Sequence, residues 1–284
     1  MNLMLVDNIN VKLIDILNNY IPEARDLKIA VAFIKYSGFL LIENSINKCL
    51  ERGCKTEFLV GLNFRLTEPK ILKKLKMYCN EGFPLKLYCY GDFDLTDTSI
   101  FHPKLYLINN EKEITISIGS SNLTKGGLKS NFEANAVIFS NAYEEIASDV
   151  YNLYNKLKYT GKYFEPDLDY IEIYEEAFNK IKEKDFELLK DRKTEKIIKS
   201  LEEKKKFLPK PVASKEELFG WLKLVYEKIP EGTFKTSDIY KFKEEFQRVY
   251  PNNKNIEAKI RQQLQFLRDI GLIKSYKKGI WEKI

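Results

Sequence analysis

The sequence predicts an α/β layered domain with a mixed sheet, followed by a helical connector and a smaller, mostly helical C-terminal domain. Over residues 1–160, short apolar segments rich in β-branched residues alternate with segments whose apolar residues recur at helical spacing. This alternation is typical of strands and helices that pack in layers. Residues 208–214 contain two prolines that end any helix, so we place a linker there.

The strands of the first domain are predicted from the short apolar segments, and its helices from the apolar residues at helical spacing. One helix ends at Gly53, and the next begins at Thr67-Glu68-Pro69, where the proline occupies the first turn. Asn109 and Asn110 form a turn between two strands. The predicted strands cover residues 28–34, 55–63, 85–91, 101–108, 113–119 and 132–140, and the predicted helices cover residues 37–52, 67–80 and 142–158.

The connector, residues 161–213, is rich in Glu and Lys and has apolar residues three or four positions apart. Residues 160–212 hold 13 Lys and Arg against 13 Asp and Glu, so this stretch is close to neutral. The pattern predicts helices, and it leaves two interpretations open. The apolar stripe, which includes Ile173, Ala177 and Ile181, either faces a partner or packs on the first domain.

The C-terminal domain, residues 214–284, predicts three helices followed by a hairpin, which is the order of a winged helix. The helices cover about 215–228, 238–249 and 254–270, with Thr236-Ser237-Asp238 as the cap of the second. The hairpin turns at Lys277-Lys278-Gly279. Residues 215–284 hold 15 Lys and Arg against 10 Asp and Glu, so they carry most of the net charge of +6. A basic unit of this kind fits a nucleic-acid partner.

The composition excludes several classes of protein. With 18 Phe and 17 Tyr, the chain has too many aromatic residues to remain unpacked. Its apolar runs are shorter than the roughly 20 residues that span a bilayer, and the N-terminal residues lack the features of a secretory signal. The four cysteines form no CxxC pair, which indicates reduced thiols in a cytoplasmic protein. We therefore expect no membrane partner, no metal site and no cofactor.

The most informative side chains surround the only histidine. His102 and Lys104 are two residues apart, so on a strand they point to the same face. Ser120 and Asn122 follow Gly119 at the end of the second strand, where α/β sheets keep their sites. An imidazole can attack phosphorus while a cation and neutral donors stabilise the developing charge. Glu133 is the candidate carboxylate that would hold the other imidazole nitrogen, and the set predicts phosphoryl transfer.

The same string, HPK followed by GSSNLTKGGLKSNFE, resembles the phospholipase D superfamily over roughly residues 10–160. The superfamily motif is HxK, four residues, Asp, and later GSxN; here Asn109 stands at the Asp position. That departure is shared with the metal-independent restriction enzymes of the BfiI and NgoFVII type. In that branch a later Glu takes the carboxylate role, which falls here on Glu133. The resemblance implies hydrolysis of phosphodiesters through a phosphohistidine, with His102, Lys104, Ser120, Asn122 and Glu133 as catalytic residues.

A count of imidazoles predicts the assembly. The superfamily reaction uses two of them, one as nucleophile and one as general acid and base. This chain has one histidine of any kind. If this chemistry operates, two chains must share one site, most simply in a homodimer with a two-fold axis.

The third C-terminal helix carries the residue types that read DNA. Its apolar stripe leaves an opposite side with Arg and Gln, which recognise base edges in a major groove. The segment from YPNN to GIW resembles the winged helix of the methyladenine-directed restriction enzyme DpnI and related restriction proteins, which implies binding of double-stranded DNA and leaves methylation of the site open. The predicted DNA-binding residues are Asn253, Lys254, Asn255, Arg261, Gln262, Gln265, Lys277 and Lys278.

These features together predict a homodimeric restriction endonuclease that cuts DNA without metal. One alternative enzyme is a lipid phosphodiesterase, against which the winged helix argues, and another is a nonspecific nuclease. A third alternative is a DNA-binding regulator with an inactive hydrolase domain. The chain could also be the nuclease subunit of a larger restriction complex, with an ATPase or a modification methyltransferase as separate proteins. The joint presence of His102, Lys104, Ser120, Asn122 and Glu133 argues against the regulator with an inactive domain.

Overall fold

The computed structural model describes residues 2–62, 66–91, 101–159, 163–190, 214–218, 220–251 and 253–284, with single positions between 194 and 203. The chain forms two compact units, Met1–Asp191 and Arg192–Ile284. The predicted linker at 208–214 lies outside the described residues except for Ser214.

An eight-stranded mixed sheet forms the centre of the first unit. Its order is β1-β7-β6-β5-β2-β3-β4-β8. The neighbours β2, β3 and β4 are parallel, and every other pair is antiparallel, which confirms the predicted mixed sheet. The strands are β1 (Asn2–Val6), β2 (Asp26–Val31), β3 (Lys55–Gly61), β4 (Leu85–Tyr90), β5 (Lys104–Asn109), β6 (Glu113–Gly119), β7 (Asn135–Asn141) and β8 (Tyr163–Phe164).

Helices cover both faces of this sheet. One apolar core lies between the sheet and the helices α1, α3, α4 and α6, and a second, smaller core lies under α5. Each fully buried Leu or Ile in such a core contributes roughly 1.5–3 kcal/mol of hydrophobic free energy. The helices are α1 (Leu13–Tyr20), α2 (Tyr36–Phe39), α3 (Glu43–Glu51), α4 (Pro69–Asn80), α5 (Glu145–Tyr159) and α6 (Leu168–Lys190).

The first unit departs from the predicted elements at three places. The predicted helix 37–52 is divided into α2 and α3. α2 packs closely on another segment, since a Cβ on Gly38 would lie 2.4 Å from the Cα of Thr124. The strand β1 and the helix α1 were not predicted. β1 escapes pattern reading because it is an edge strand whose first four residues are all exposed.

The start of the predicted connector packs on the first unit. β8 joins the sheet next to β4, and Ile171 and Tyr174 of α6 are buried in the larger core. Ile173, which belongs to the predicted stripe, is instead 70% exposed. The first compact unit therefore extends to about residue 191, beyond the expected boundary at 160.

The second unit has the helices and hairpin of a winged helix. Its three-stranded sheet has the order β10-β11-β9, so a third strand, which was not predicted, joins the hairpin. The predicted second helix is divided into α8 and α9, and its first turn is held by the Asp238 carboxylate, which accepts the Lys235 N–H at 2.9 Å. The elements are α7 (Gly220–Glu227), β9 (Thr233–Lys235), α8 (Thr236–Tyr240), α9 (Lys243–Val249), α10 (Ile256–Asp269), β10 (Ile273–Lys277) and β11 (Ile280–Lys283).

The core of this second unit follows the predicted stripe of α10. Ile256, Ile260, Leu264 and Leu267 are buried, whereas Ile270 beyond the helix end is 40% exposed. Across both units, no helix in the described ranges is long and apolar enough to cross a membrane.

Candidate functional site

The HxK pair lies at the end of the sheet where the parallel strands finish. Lys104 opens β5 and pairs with Val31, the last residue of β2. The Lys104 Nζ lies 2.8 Å from His102 Nδ1 and donates to the His102 carbonyl oxygen at 2.9 Å. Lys104 is buried, and His102 is exposed at the rim. The two side chains are therefore in direct contact, although His102 precedes β5, because the predicted strand 101–108 begins only at Lys104.

The surroundings of this pair shift the pKa of both groups. Burial, and then the charge of Lys104, lower the pKa of His102 below its ordinary value of 6.5. Burial also lowers the pKa of Lys104, and the nearby negative charge of Glu133 opposes that shift. His102 is therefore biased toward the neutral imidazole, the form that a nucleophile requires.

Ser120 and Glu133 form the second pair of the site. Gly119 ends β6 opposite Asn135, where a Cβ would lie 2.3 Å from the carbonyl oxygen of Ala134. Only glycine lets the two strands come this close. The Ser120 hydroxyl donates to a carboxylate oxygen of Glu133 and accepts the Ala134 N–H at 2.9 Å.

Asn122 is held by the backbone segment that follows β2. It is buried, and its Oδ1 accepts the N–H of Phe33 at 3.3 Å. Gly127 is required beside it, since a Cβ there would lie 2.4 Å from the Asn122 carbonyl oxygen. With its oxygen bound to the backbone, the Asn122 amide can direct its N–H donors to a phosphate oxygen.

The five predicted catalytic residues thus lie at one end of the sheet, in two contacting pairs plus Asn122. The Glu133 carboxylate binds Ser120 and the Asn131 amide, at 3.3 Å for the latter, and it is Lys104 that lies against Nδ1 of His102. The expectation that Glu133 holds the second imidazole nitrogen stays a prediction.

Two buried asparagines that the sequence analysis missed support this loop. Asn135 Oδ1 accepts the Ser121 N–H at 3.2 Å, and its Nδ2 donates to the Ser121 hydroxyl at 2.9 Å. Asn8 donates to the Gly127 carbonyl at 2.8 Å and accepts the Leu13 N–H at 3.0 Å. For Asn135, an amide at an inward strand position was the available signal, since a buried polar group needs partners.

Asn109, the residue at the superfamily Asp position, lies at the far end of β5. Its Nδ2 donates to the Tyr151 hydroxyl at 3.1 Å, and that hydroxyl donates to Asp26 at 2.5 Å. Asp26 faces Asn109 directly in the register of β2 and β5. A carboxylate is therefore present at this point, contributed by the neighbouring strand.

Metal ligands and cysteines complete the survey of reactive groups. Within the described ranges, no three His, Cys, Asp or Glu side chains are grouped so that they could hold a metal ion. The cysteines are free thiols: Cys49, Cys54 and Cys89 are buried, and Cys79 is half-buried.

In the second unit, α10 presents two of its predicted DNA-binding residues on one exposed side. Arg261 and Gln265 are a turn apart, and Arg261 Nη1 donates to the Tyr240 hydroxyl at 2.8 Å. Gln262 is half-buried and accepts from Lys259 at 2.8 Å, so it is engaged within the helix. The sequence analysis did not identify Tyr240 and Lys259 as the hydrogen-bond partners of Arg261 and Gln262.

The predicted residues before α10 and in the wing are accessible. Asn253, Lys254 and Asn255 line an open cavity of about 810 Å³ together with Trp221 and Tyr250, whose rings stack at 4.5 Å. Lys277 and Lys278 are exposed at the turn between β10 and β11. The basic and amide side chains therefore surround the N-terminal half of α10 and the wing tip.

Each unit matches a protein-family model. Residues 19–157 match the family model described as cardiolipin synthase, PLD-like domain, and residues 216–283 match the Dam-replacing HTH domain. No curated protein matches the chain in sequence.

Several solved structures are similar to part of the chain. NucT from Helicobacter pylori is 18% identical, with 55% of this chain and 94% of that chain covered and a TM-score of 0.41. Nuc from Salmonella typhimurium, a phospholipase D family member, is 16% identical, with 58% and 99% covered and a TM-score of 0.44. Phosphatidylserine synthase from Haemophilus influenzae is 14% identical, with 66% and 46% covered and a TM-score of 0.47.

Proposed function

Because the chain joins a phospholipase D-like domain to a DpnI-type winged-helix domain, we propose that it is a restriction endonuclease that hydrolyses DNA phosphodiester bonds without metal. The observation that carries the proposal is that the His102–Lys104 pair and the Ser120–Glu133 pair both lie at one end of the sheet, where β5 begins and β6 ends. A nucleophile, a cation and neutral donors then surround the place of one phosphate.

The reaction runs in two displacements. An imidazole nitrogen of His102 attacks phosphorus, and the bond from phosphorus to the leaving ester oxygen breaks. The partner subunit's His102, as imidazolium, gives its proton to that oxygen. The same imidazole then removes a proton from water, whose oxygen attacks the phosphohistidine and releases His102. Each bond that forms is balanced by one that breaks.

The other residues act on charge. Lys104, Ser120 and Asn122 stabilise the negative charge that develops on the phosphoryl oxygens. When a phosphate oxygen accepts the hydrogen bonds of Lys104, Lys104 no longer donates to Nδ1 of His102. Nδ1 can then carry the ring proton, which leaves Nε2 free to attack phosphorus. Glu133 orients Ser120 and favours the protonated state of Lys104.

The assembly follows from the single histidine. One site formed by two chains cuts one strand per event, so cleavage of both strands needs sequential turnover or re-orientation. The winged helix supplies sequence recognition through Arg261 and Gln265, and Lys277 and Lys278 contact phosphates. Because recognition and chemistry belong to separate units, cutting can fall at a distance from the recognised sequence.

The test is plasmid cleavage in excess EDTA, with adenine-methylated and unmethylated DNA side by side and His102→Ala as the control. We expect discrete fragments that are absent with the variant. Fragments from only one DNA would define the methylation requirement, whereas a smear from both would favour a nonspecific nuclease.

A negative result is also informative. If neither DNA is cut while duplex binding is intact, the stand-alone enzyme is excluded. The regulator and the subunit of a larger complex would then be the remaining interpretations.

A further inference from the structure

Three lysines outside the catalytic set surround the loop that carries Ser120 and Asn122. Lys125 and Lys129 are exposed, and Lys35 is half-buried. None of the three forms an ion pair with the residues that the structure describes. Their charge is therefore available to a ligand.

Lys35 is fixed to this loop through its backbone. Its N–H donates to the Leu123 carbonyl at 3.0 Å, and Ile34 forms a parallel bridge with Leu123. Two residues earlier, the Phe33 N–H binds Asn122 Oδ1. The Lys35 side chain thus starts from a backbone segment that itself supports a catalytic residue.

Lys125 and Lys129 lie on the part of the loop that runs from Asn122 to Glu133. Residues Gly126–Ser130 form a π-helical turn, closed by the Asn131 N–H on the Gly126 carbonyl at 2.9 Å. Such turns are frequent at functional sites. Asn131 then binds Glu133, so both ends of this basic segment join the site.

From this arrangement we propose that Lys35, Lys125 and Lys129 bind the backbone phosphates on either side of the scissile phosphate. The inference rests on the proposed nuclease function and names the substrate surface of the same site. A nucleic-acid strand carries one charge per ~3.4 Å of rise, so phosphates next to the scissile one fall within reach of long side chains around the loop. A small phosphodiester has no flanking phosphates and does not need these lysines.

The test compares two triple variants of the full chain. One replaces Lys35, Lys125 and Lys129 with Gln, and the matched control replaces Lys55, Lys86 and Lys112, which are exposed at the other end of the strands. Each is assayed for DNA cleavage, for hydrolysis of bis(4-nitrophenyl) phosphate, and for the salt dependence of duplex binding.

We expect the loop variant to lose roughly tenfold or more in kcat/KM on DNA, mainly through KM, while its hydrolysis of the small diester stays within about twofold of the unmodified protein. The slope of log K against log salt should become less negative by about 2–3, since each lost phosphate contact removes about 0.9. The control variant should change none of these.

Unchanged DNA cleavage and an unchanged salt slope in the loop variant would overturn this proposal alone. A parallel loss on both substrates would also overturn it, because the lysines would then serve chemistry or folding. If the unmodified protein hydrolyses neither substrate, the nuclease proposal fails. The salt slope still decides whether these lysines contact DNA.

Discussion

The ammonium of Lys104 lies 2.8 Å from Nδ1 of His102, and the side chain of Lys104 is buried. A positive charge at this distance disfavours protonation of the imidazole, and burial acts in the same direction. The structure therefore links the protonation state of the proposed nucleophile to the residue that is proposed to bind the phosphate.

The first prediction concerns the titration of His102. Because the chain has one histidine, its imidazole NMR signals need no assignment. We expect a midpoint below 6.5, and in Lys104→Met a midpoint that rises but stays below that value, since burial is the larger cause. A variant that titrates like the unmodified protein would contradict the role of Lys104.

The pH profile of cleavage follows from the same shift. The proposed reaction needs one neutral and one protonated imidazole in each dimer, so the rate peaks near the His102 pKa. That pKa is lowered in the folded protein, so kcat/KM should be largest below pH 6.5 and fall as the pH rises. An optimum at or above pH 7.5 would argue against the shared pair of imidazoles.

The hydrogen bond from Ser120 to Glu133 predicts coupled effects. Ser120→Ala and Glu133→Gln should each lower kcat by about 10²–10³, because each disturbs donors aimed at the phosphoryl oxygens. The double variant should lose much less than the product of the two effects. Single-turnover kinetics with all three variants measures this, and fully multiplicative losses would show that the residues act separately.

The hydrogen bonds that join Asn109, Tyr151 and Asp26 predict an effect on stability that is independent of activity. Asn109→Asp, which restores the superfamily residue, removes the donor to Tyr151 and adds a second carboxylate near Asp26. We expect a loss of roughly 1–3 kcal/mol in the free energy of unfolding. Urea titration measures it, with Asn110→Asp in the adjacent turn as the control, and an unchanged midpoint would refute the Asn109–Tyr151–Asp26 relay.

Mixed dimers test whether two chains share one site. With equal amounts of unmodified and His102→Ala chains co-expressed, activity should fall to about a quarter of the level of unmodified dimers, because only dimers with both imidazoles work. Independent subunits would retain about half. Differently tagged chains allow the three dimers to be separated and assayed.

The winged helix predicts two kinds of DNA-binding defect. Arg261→Ala should cost about 1–3 kcal/mol on the cognate duplex and little on other sequences, as expected for contact with a base. Lys277→Gln with Lys278→Gln should weaken both equally and reduce the salt slope by about 2. If Arg261→Ala lost equal binding free energy on cognate and unrelated duplexes, Arg261 would contact the DNA backbone and not a base.

The sequence by itself determined the local relationships. The proximity of His102 and Lys104 follows from their spacing of two, although His102 lies just before β5, and the placement of Ser120 and Asn122 follows from a glycine at a strand end. The mixed sheet and the order of helices and hairpin in the second unit were predicted from periodicity. The prediction of a second chain came from counting one histidine.

The tertiary structure decided everything that depends on which strands are neighbours. Glu133 meets Ser120 because β6 and β7 pair in one register, and Asn109 meets Asp26 because β2 lies next to β5. The hydrogen bond between Asn135 and Ser121 also depends on which strands are neighbours, and so does the third strand of the wing. Periodicity reports only which face of its own element a side chain occupies, whereas these contacts arise from pairings between segments far apart in the chain.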